Sequence, residues 1–138
     1  MLGPQVWNKT LRGTSSEVIE TEKWLDEIAR EQKLPPGVAF ALQTCAEELL
    51  TNIVKHGGRP LPDIDLTLKV YPDRIEFVVE DDGRPFDVAA APVHVIDGPL
   101  AEVEPGGLGI QLIRSFTDDL RYERAGRGNR VHATIRLP

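Results

Sequence analysis

The stretch IDLTLKVYPDRIEFVVEDDG, residues 64–83, decides what kind of fold this chain can adopt. Its two halves, residues 64–70 and 74–80, place apolar side chains at every second position, which is the pattern of a strand with one buried face. The YPD between the halves is typical of a hairpin turn. The stretch therefore predicts two paired strands with one apolar face, which a second layer of structure has to cover.

Two helices are predicted upstream of this hairpin. Thr14 and Glu17 fit a capping box, in which each side chain satisfies a free backbone N–H at a helix start, and the first helix should continue to about Glu31. The second helix should cover residues 36–56, because proline is tolerated in a first turn and Gly57 is a natural stop. These helices are candidates for the second layer.

The chain downstream of the hairpin is less regular. Residues 83–107 are rich in Gly, Pro and Ala and lack periodicity, and a loop of this size in a compact domain is usually functional. A third helix is predicted over about residues 108–118, followed by a closing hairpin of residues 120–124 and 130–137. Together with a short first strand over residues 5–11, this order of elements predicts an α+β two-layer sandwich.

Composition limits the classes of partner. The 138 residues suggest one domain, residues 1–138, that can build a core without disulfides or metal. The net charge of −6 and the lack of a dense Lys/Arg patch make nucleic acid and anionic membranes poor partners.

Cys45 is the single cysteine, so we expect a core position for it and a reducing compartment. With neither a signal peptide nor an apolar span of ~20 residues, we expect a cytoplasmic protein.

The second helix carries polar residues beside its apolar stripe. At 100° per residue, Glu48, Asn52 and Lys55 fall together on one flank of that stripe. A carboxylate at this position can accept a proton or orient a water, and an amide oxygen can ligate a hard cation such as Mg²⁺. The alternative is an ordinary exposed polar flank, which the spacing alone favours. The apolar stripe itself consists of Leu42, Ala46, Leu49 and Ile53.

The end of the second predicted strand carries another candidate group. Asp81 is the first residue after the alternating pattern, and Gly83 lets the backbone turn sharply or approach a ligand closely. A carboxylate beside a glycine can accept a hydrogen bond from an exocyclic amino group such as that of adenine. The alternative is a simple Asp-Gly turn.

The third candidate segment is the glycine-rich start of the third helix. Gly106, Gly107 and Gly109 come where free N–H groups and the helix dipole can bind phosphate. The alternative is an ordinary flexible entry to a helix. No Lys or Arg occurs from residue 85 to residue 113, so a phosphate bound here has to be met by backbone N–H groups, Mg²⁺ or Lys55.

In order and spacing, four segments resemble the histidine-kinase-like (GHKL) ATPases, and more closely the small anti-sigma factor serine kinases of bacterial partner switching. The segments are EELLTNIVKHG, DDGRPFD, GGLGIQLIRSFTDDLRYE and GNRVHATIRL. The family's E-x-x-x-N box corresponds to residues 48–52, its D-x-G box to residues 81–83, and its G-x-G box to residues 107–109. The resemblance covers about residues 6–137.

The resemblance implies a mixed β-sheet covered on one face by three helices. It also implies bound ATP and Mg²⁺ under a lid of about residues 88–107. Asn52 would hold Mg²⁺, and Glu48 would be the catalytic base that takes the proton from an attacking serine hydroxyl. Asp81 would bind the adenine amino group, with Gly83 allowing close approach. The remaining nucleotide-binding positions would be Lys55, Gly106, Gly107, Leu108 and Gly109.

The implied partners are a STAS-domain anti-anti-sigma protein, which would be phosphorylated on serine, and a sigma factor or other regulator held by a homodimer. The chain departs from the pattern at Glu104-Pro105, where some of these kinases carry a lid arginine that clamps the transferring phosphoryl group. It departs again at Asn129, where threonine often follows Gly128. Two alternatives remain open: a nucleotide-gated binding protein that sequesters a regulator without kinase activity, and a small ATPase in which Glu48 orients water.

Overall fold

The computed structural model describes residues 3–56, 58, 61–85, 113–126 and 128–138. Within these ranges, five strands form one sheet and two long helices pack against it. The elements are β1 (Gln5–Arg12), α1 (Ser15–Glu31), α2 (Pro36–His56), β2 (Asp63–Val70), β3 (Arg74–Asp81), β4 (Asp119–Ala125) and β5 (Gly128–Arg136). Residues 113–116 form a further helical segment.

Helix α1 begins at its predicted cap. The Thr14 hydroxyl accepts a hydrogen bond from the backbone N–H of Glu17 at 3.2 Å, which satisfies one free donor of the first turn. The reciprocal half of the capping box is absent, because the Thr14 N–H donates instead to the carbonyl of Arg12 at 2.8 Å. The predicted bounds of both α1 and α2 are confirmed.

The sheet has the order β1-β2-β3-β5-β4, and every adjacent pair is antiparallel. The α+β sandwich is confirmed, but the expected mixed sheet is wrong for the described residues. Two helices joined by a short turn lead the chain away from the sheet and back, so β2 starts near the end of β1 and runs against it. Strands β3 and β4 do run in the same direction, but β5 lies between them.

The core lies between one face of the sheet and the helices. Alternate residues of β2, β3 and β5 are buried in rows that cross the strands, such as Leu66, Val79 and Val131. Helix α2 contributes Leu42 and Leu49 from the predicted stripe, and each such side chain adds roughly 1.5–3 kcal/mol by leaving water. Neither described helix is both long and apolar enough to cross a membrane.

The third predicted helix is seen only at its end. Residues 113–116 are helical, and Thr117 and Asp118 are not, so the described helix stops two residues before the predicted end. The Thr117 hydroxyl donates to the carbonyl of Ile113 at 2.9 Å, which closes the last turn. The start of this helix and nearly all of the predicted loop lie outside the described residues.

Candidate functional site

Asn52 is a buried polar residue on α2. The residue is only 5% exposed, and its Nδ2 has no hydrogen-bond partner among the described residues. Leaving a buried donor unpaired costs about 1–3 kcal/mol. Among the described residues, the other two buried polar ones are Thr21 and Asn129, and both make hydrogen bonds. An exposed polar flank is therefore the wrong description of Asn52, and its amide is available to a ligand.

Glu48 lies one helical turn before Asn52 and is half-buried. Burial raises the pKa of its carboxyl, repulsion from Glu47 raises it further, and attraction to Lys55 lowers it. A carboxylate with a raised pKa is a stronger proton acceptor near neutral pH. Lys55 is itself exposed, two turns further along α2 on the side of Glu48. The helix thus presents a candidate base, an unpaired amide and a cation along one flank.

The same side of α2 contacts the helical segment 113–116. The Cys45 thiol points at the Ile113 carbonyl at 4.0 Å, and the rings of Phe40 and Phe116 meet edge to face with centroids 5.6 Å apart. Cys45 is a core residue, as predicted, and burial together with the charge of Glu48 raises its pKa to about 12. The chain that follows the predicted glycine motif therefore packs against α2 beside Glu48.

Asp81 ends β3 with its two carboxylate oxygens in different environments. Oδ1 accepts hydrogen bonds from the Gly83 N–H at 2.8 Å and from Nδ2 of Asn129 at 3.1 Å. Oδ2 has no hydrogen-bond partner among the described residues. The predicted turn is thus present, formed by the side chain of Asp81 as in an Asx-turn. The turn does not compete with an acceptor role, because one oxygen forms the turn and the other remains available.

Two glycines bring other segments close to this turn. A Cβ on Gly128 would lie 1.7 Å from the carbonyl oxygen of Asp81, so only glycine lets β5 approach the end of β3. Gly58, two residues after α2, has a positive φ of 76°, and a Cβ there would lie 3.4 Å from Nε of Arg84. The end of α2 therefore lies beside the Asp81–Arg84 turn.

Asn129 is a site residue to which the sequence analysis gave no role. It is 4% exposed and faces Asp81 across the β3–β5 pair. Its Nδ2 donates to the Arg84 carbonyl at 2.8 Å as well as to Asp81, and its Oδ1 accepts from the Tyr122 hydroxyl. The sequence signals were the Gly-Asn step at the start of the last predicted strand and the departure from the family's threonine at Asn129. Their meaning depends on the register of β5 against β3.

Several predicted positions lie outside the described residues. They are Gly106, Gly107, Leu108 and Gly109, the lid over about residues 88–107 and the Glu104-Pro105 step, and they stay predictions. The described residues contain no cluster of three His, Cys, Asp or Glu side chains that could hold a metal ion. A cation at this site would therefore depend on the Asn52 amide and on oxygens of a bound substrate, which is a common arrangement for Mg²⁺.

The chain matches the model of the histidine kinase-like ATPase domain over residues 12–135. This match covers most of the chain, and the protein therefore belongs to that family. The membership agrees with the resemblance indicated by the E-x-x-x-N and D-x-G motifs.

Three curated relatives that match the chain are named as protein kinases. The serine/threonine-protein kinase BtrW of Bordetella bronchiseptica is 31% identical over 128 residues, which are 88% of this chain and 87% of BtrW. The serine-protein kinase RsbW of Staphylococcus epidermidis is 35% identical over 89 residues, 57% of this chain and 55% of that relative. RsbW of Halalkalibacterium halodurans is 33% identical over 86 residues, 59% of this chain and 53% of the relative. The matches with RsbW thus span about half of each relative.

Proposed function

We propose that the protein is an ATP-dependent serine kinase of the anti-sigma type, which phosphorylates a STAS-domain anti-anti-sigma protein and thereby regulates transcription by partner switching. The observation that carries the proposal is the buried, unpaired amide of Asn52 one turn from the half-buried carboxylate of Glu48. Similarity to serine kinases along most of the chain supports the same conclusion.

Glu48 is the proposed catalytic base. Its carboxylate accepts the proton of the substrate serine as the serine oxygen bonds to the γ-phosphorus of ATP, the bond to the bridging oxygen breaks and ADP leaves. The raised pKa of Glu48 favours this transfer, because the acceptor binds a proton more strongly than an ordinary glutamate does.

Asn52 is the proposed Mg²⁺ ligand. Its amide is buried and unpaired, and a rotation about the last side-chain torsion exchanges the positions of Oδ1 and Nδ2. The residues present therefore fit a cation held by the Asn52 oxygen together with water and phosphate oxygens. When bound, Mg²⁺ would neutralise negative charge on the phosphates of ATP.

The remaining binding roles follow the chemistry of each group. Oδ2 of Asp81 accepts a hydrogen bond from the adenine amino group, and Gly83 lets the base lie close to the backbone. Lys55 reaches the phosphates, and residues 106–109 supply backbone N–H groups to them. We also propose that residues 1–138 form one domain, which is supported by the one hydrophobic core cluster found among the described residues. We further propose a cytoplasmic location, where ATP is supplied. We also propose that the protein forms a homodimer and binds a sigma factor or other regulator as its second partner.

Incubation of the pure protein with ATP, Mg²⁺ and the STAS-domain proteins of the same genome tests this function. We expect phosphoserine on one of them. Glu48→Gln should abolish transfer while ADP binding is retained, because the amide keeps the size of the side chain but accepts no proton. Glu47→Gln is the matched control on the exposed side of α2 and should retain transfer. Absence of phosphoserine on every STAS protein would contradict the kinase proposal.

A second candidate is a nucleotide-gated binding protein that sequesters a regulator without phosphorylating it. It is favoured by the lack of any Lys or Arg from residue 85 to residue 113, which leaves no lid cation to stabilise a transferring phosphoryl group. In this case ATP would act by favouring one conformation over another. Capture of the regulator with and without ATP separates the two candidates, and equal capture under both conditions would exclude gating.

A further inference from the structure

Asn129 connects three strands at the end of the sheet that carries Asp81. On one side, its Nδ2 donates to Oδ1 of Asp81 at 3.1 Å and to the Arg84 carbonyl at 2.8 Å, with the Gly83 carbonyl at 3.5 Å. These acceptors lie at the beginning and the end of the turn that follows β3. One buried amide therefore holds both ends of the turn.

The opposite side of the same amide is held by β4. Oδ1 of Asn129 accepts from the Tyr122 hydroxyl and, at 3.3 Å, from Nη1 of Arg124. Nη1 of Arg124 also donates to the Gly83 carbonyl at 2.9 Å. Because oxygens surround the amide nitrogen and donors surround the amide oxygen, the orientation of the Asn129 side chain is determined. The edge strand β4 thus supports the turn through Asn129.

In this arrangement, Oδ1 of Asp81 is hydrogen-bonded within the protein, and Oδ2 remains available as an acceptor. Oδ1 is bound by Asn129 and by the Gly83 N–H, so the carboxylate cannot rotate without losing both hydrogen bonds. Oδ2 is then presented in a fixed direction as an acceptor. The Gly128 backbone, which approaches the Asp81 carbonyl too closely for any Cβ, places Asn129 opposite Asp81.

We propose that Asn129 is a positioning residue for base recognition: supported by Tyr122 and Arg124, it fixes the Asp81 carboxylate so that Oδ2 meets the amino group of a bound adenine. The proposal rests on the proposed function, since it assumes that Asp81 reads the base. It predicts that selectivity for adenine depends on a residue that does not touch the nucleotide. It also predicts that this selectivity depends on the edge strand β4.

The test compares the affinities of ADP and inosine diphosphate, measured by calorimetry with Mg²⁺. Inosine diphosphate carries a carbonyl oxygen where adenine carries its amino group, so it places an acceptor instead of a donor opposite Oδ2. In Asn129→Asp, an oxygen replaces the Nδ2 donor and faces the oxygens of Asp81 and Arg84. We expect the preference for ADP to fall by about tenfold, the usual effect of losing a hydrogen bond to a charged group. Tyr122→Phe should reduce the preference less, because the Nδ2 contacts remain.

Asn8→Asp is the matched control. Nδ2 of Asn8 donates to the carboxylate of Asp65 at 3.2 Å across the β1–β2 pair, which lies at the opposite edge of the sheet from β4. The same substitution there therefore adds the same charge near an aspartate. This variant should keep the full preference for ADP. A merely structural role for Asn129 would weaken both ligands equally in Asn129→Asp and leave their ratio unchanged.

The outcomes separate this proposal from the proposed function. A wild-type preference for ADP that persists in Asn129→Asp and in Tyr122→Phe overturns the positioning role and leaves the kinase proposal standing. A wild-type protein that binds both ligands equally overturns the role of Asp81 and, with it, that of Asn129. A folded wild-type protein that binds neither ligand overturns the proposed function as well. Tyr122→Phe decides the matter if Asn129→Asp does not fold.

Discussion

At the scale of single residues, the three buried polar side chains in the part of the chain that the structure describes behave differently. The Thr21 hydroxyl donates to the Glu17 carbonyl inside α1, and Asn129 is held by neighbouring strands, whereas Asn52 is buried with its Nδ2 unpaired. A folded protein that retains an unpaired amide gives up stability at that position. The simplest physical reason for keeping it is a ligand that is bound during function.

Substitution of Asn52 by leucine separates stability from binding. Because Asn52→Leu replaces an unpaired buried amide by an apolar group of similar size, we expect the free energy of unfolding without nucleotide to stay the same or rise by up to about 1 kcal/mol. Mg²⁺-dependent ADP binding should be lost. Urea denaturation and calorimetry measure the two effects. Asn129→Leu is the contrasting variant and should lower the free energy of unfolding by about 1–3 kcal/mol, since it leaves its partners unpaired. A clear destabilisation by Asn52→Leu would show that its amide has a structural role.

The pKa of Glu48 makes the rate of phosphoryl transfer depend on pH. A base acts only when ionised, so the rate at saturating ATP should rise with pH through a pKa above the ordinary glutamate value. Glu47 raises this pKa through its negative charge. Glu47→Gln should therefore lower the pKa and move the rising part of the profile to lower pH. A profile that stays in place or moves to higher pH would contradict the assignment of Glu48 as the base.

At the scale of elements, the start of β5 depends on a glycine. A Cβ on Gly128 would collide with the backbone carbonyl of Asp81, which no side-chain rotation can relieve. We expect Gly128→Ala to lower the free energy of unfolding by about 1–3 kcal/mol and to weaken ADP binding, because the turn after β3 has to move. Gly37→Ala is the control: nothing lies within 4 Å of its Cβ position, and alanine favours the helix. Equal stability of Gly128→Ala and the wild type in urea would rule out this close approach.

Most elements could be predicted from the sequence because their signals are local. Alternating apolar residues marked β2 and β3 to within one residue, and the proline and glycine signals marked α2. The end of the third helix could not be predicted, because a tertiary contact decides it. The Asp118 N–H donates to the Thr134 carbonyl, and the Asp118 carboxylate accepts from the Arg136 N–H, so Asp118 joins the sheet.

The candidate site, like the fold, could be predicted only as far as local sequence signals reach. The spacing of Glu48 and Asn52 marked one flank of α2, but helical rotation cannot say which member is buried, since that depends on what packs against the helix. The antiparallel sheet and the role of Asn129 both require the pairing of β5 with β3 and β4. Such pairing joins residues 48 positions apart, as in Asn129 and Asp81, and no local pattern contains it.

At the scale of the whole molecule, folding brings together segments that are far apart in the chain. Cys45 on α2 contacts Ile113, and Gly58 after α2 lies beside Arg84 after β3. The net charge of −6 opposes the approach of a polyanion, so nucleotide affinity should depend on a cation that neutralises the phosphates. The site therefore exists only in the folded state, and a bound nucleotide should stabilise the molecule as a whole.

The chemical reactivity of Cys45 can measure whether a bound nucleotide stabilises the packing of α2 against residues 113–116. Cys45 is 1% exposed, and burial raises the pKa of its thiol to about 12, so far less thiolate is present at pH 8 than in a free cysteine. Alkylation by iodoacetamide at pH 8 should therefore be slow and should require α2 to separate from residues 113–116. Because ADP with Mg²⁺ binds the closed form, it should slow alkylation in proportion to 1 + [L]/Kd. Mass spectrometry follows the reaction, with the urea-unfolded chain as the control for full reactivity. Alkylation at one rate with and without saturating ADP would mean that the nucleotide does not hold these segments together.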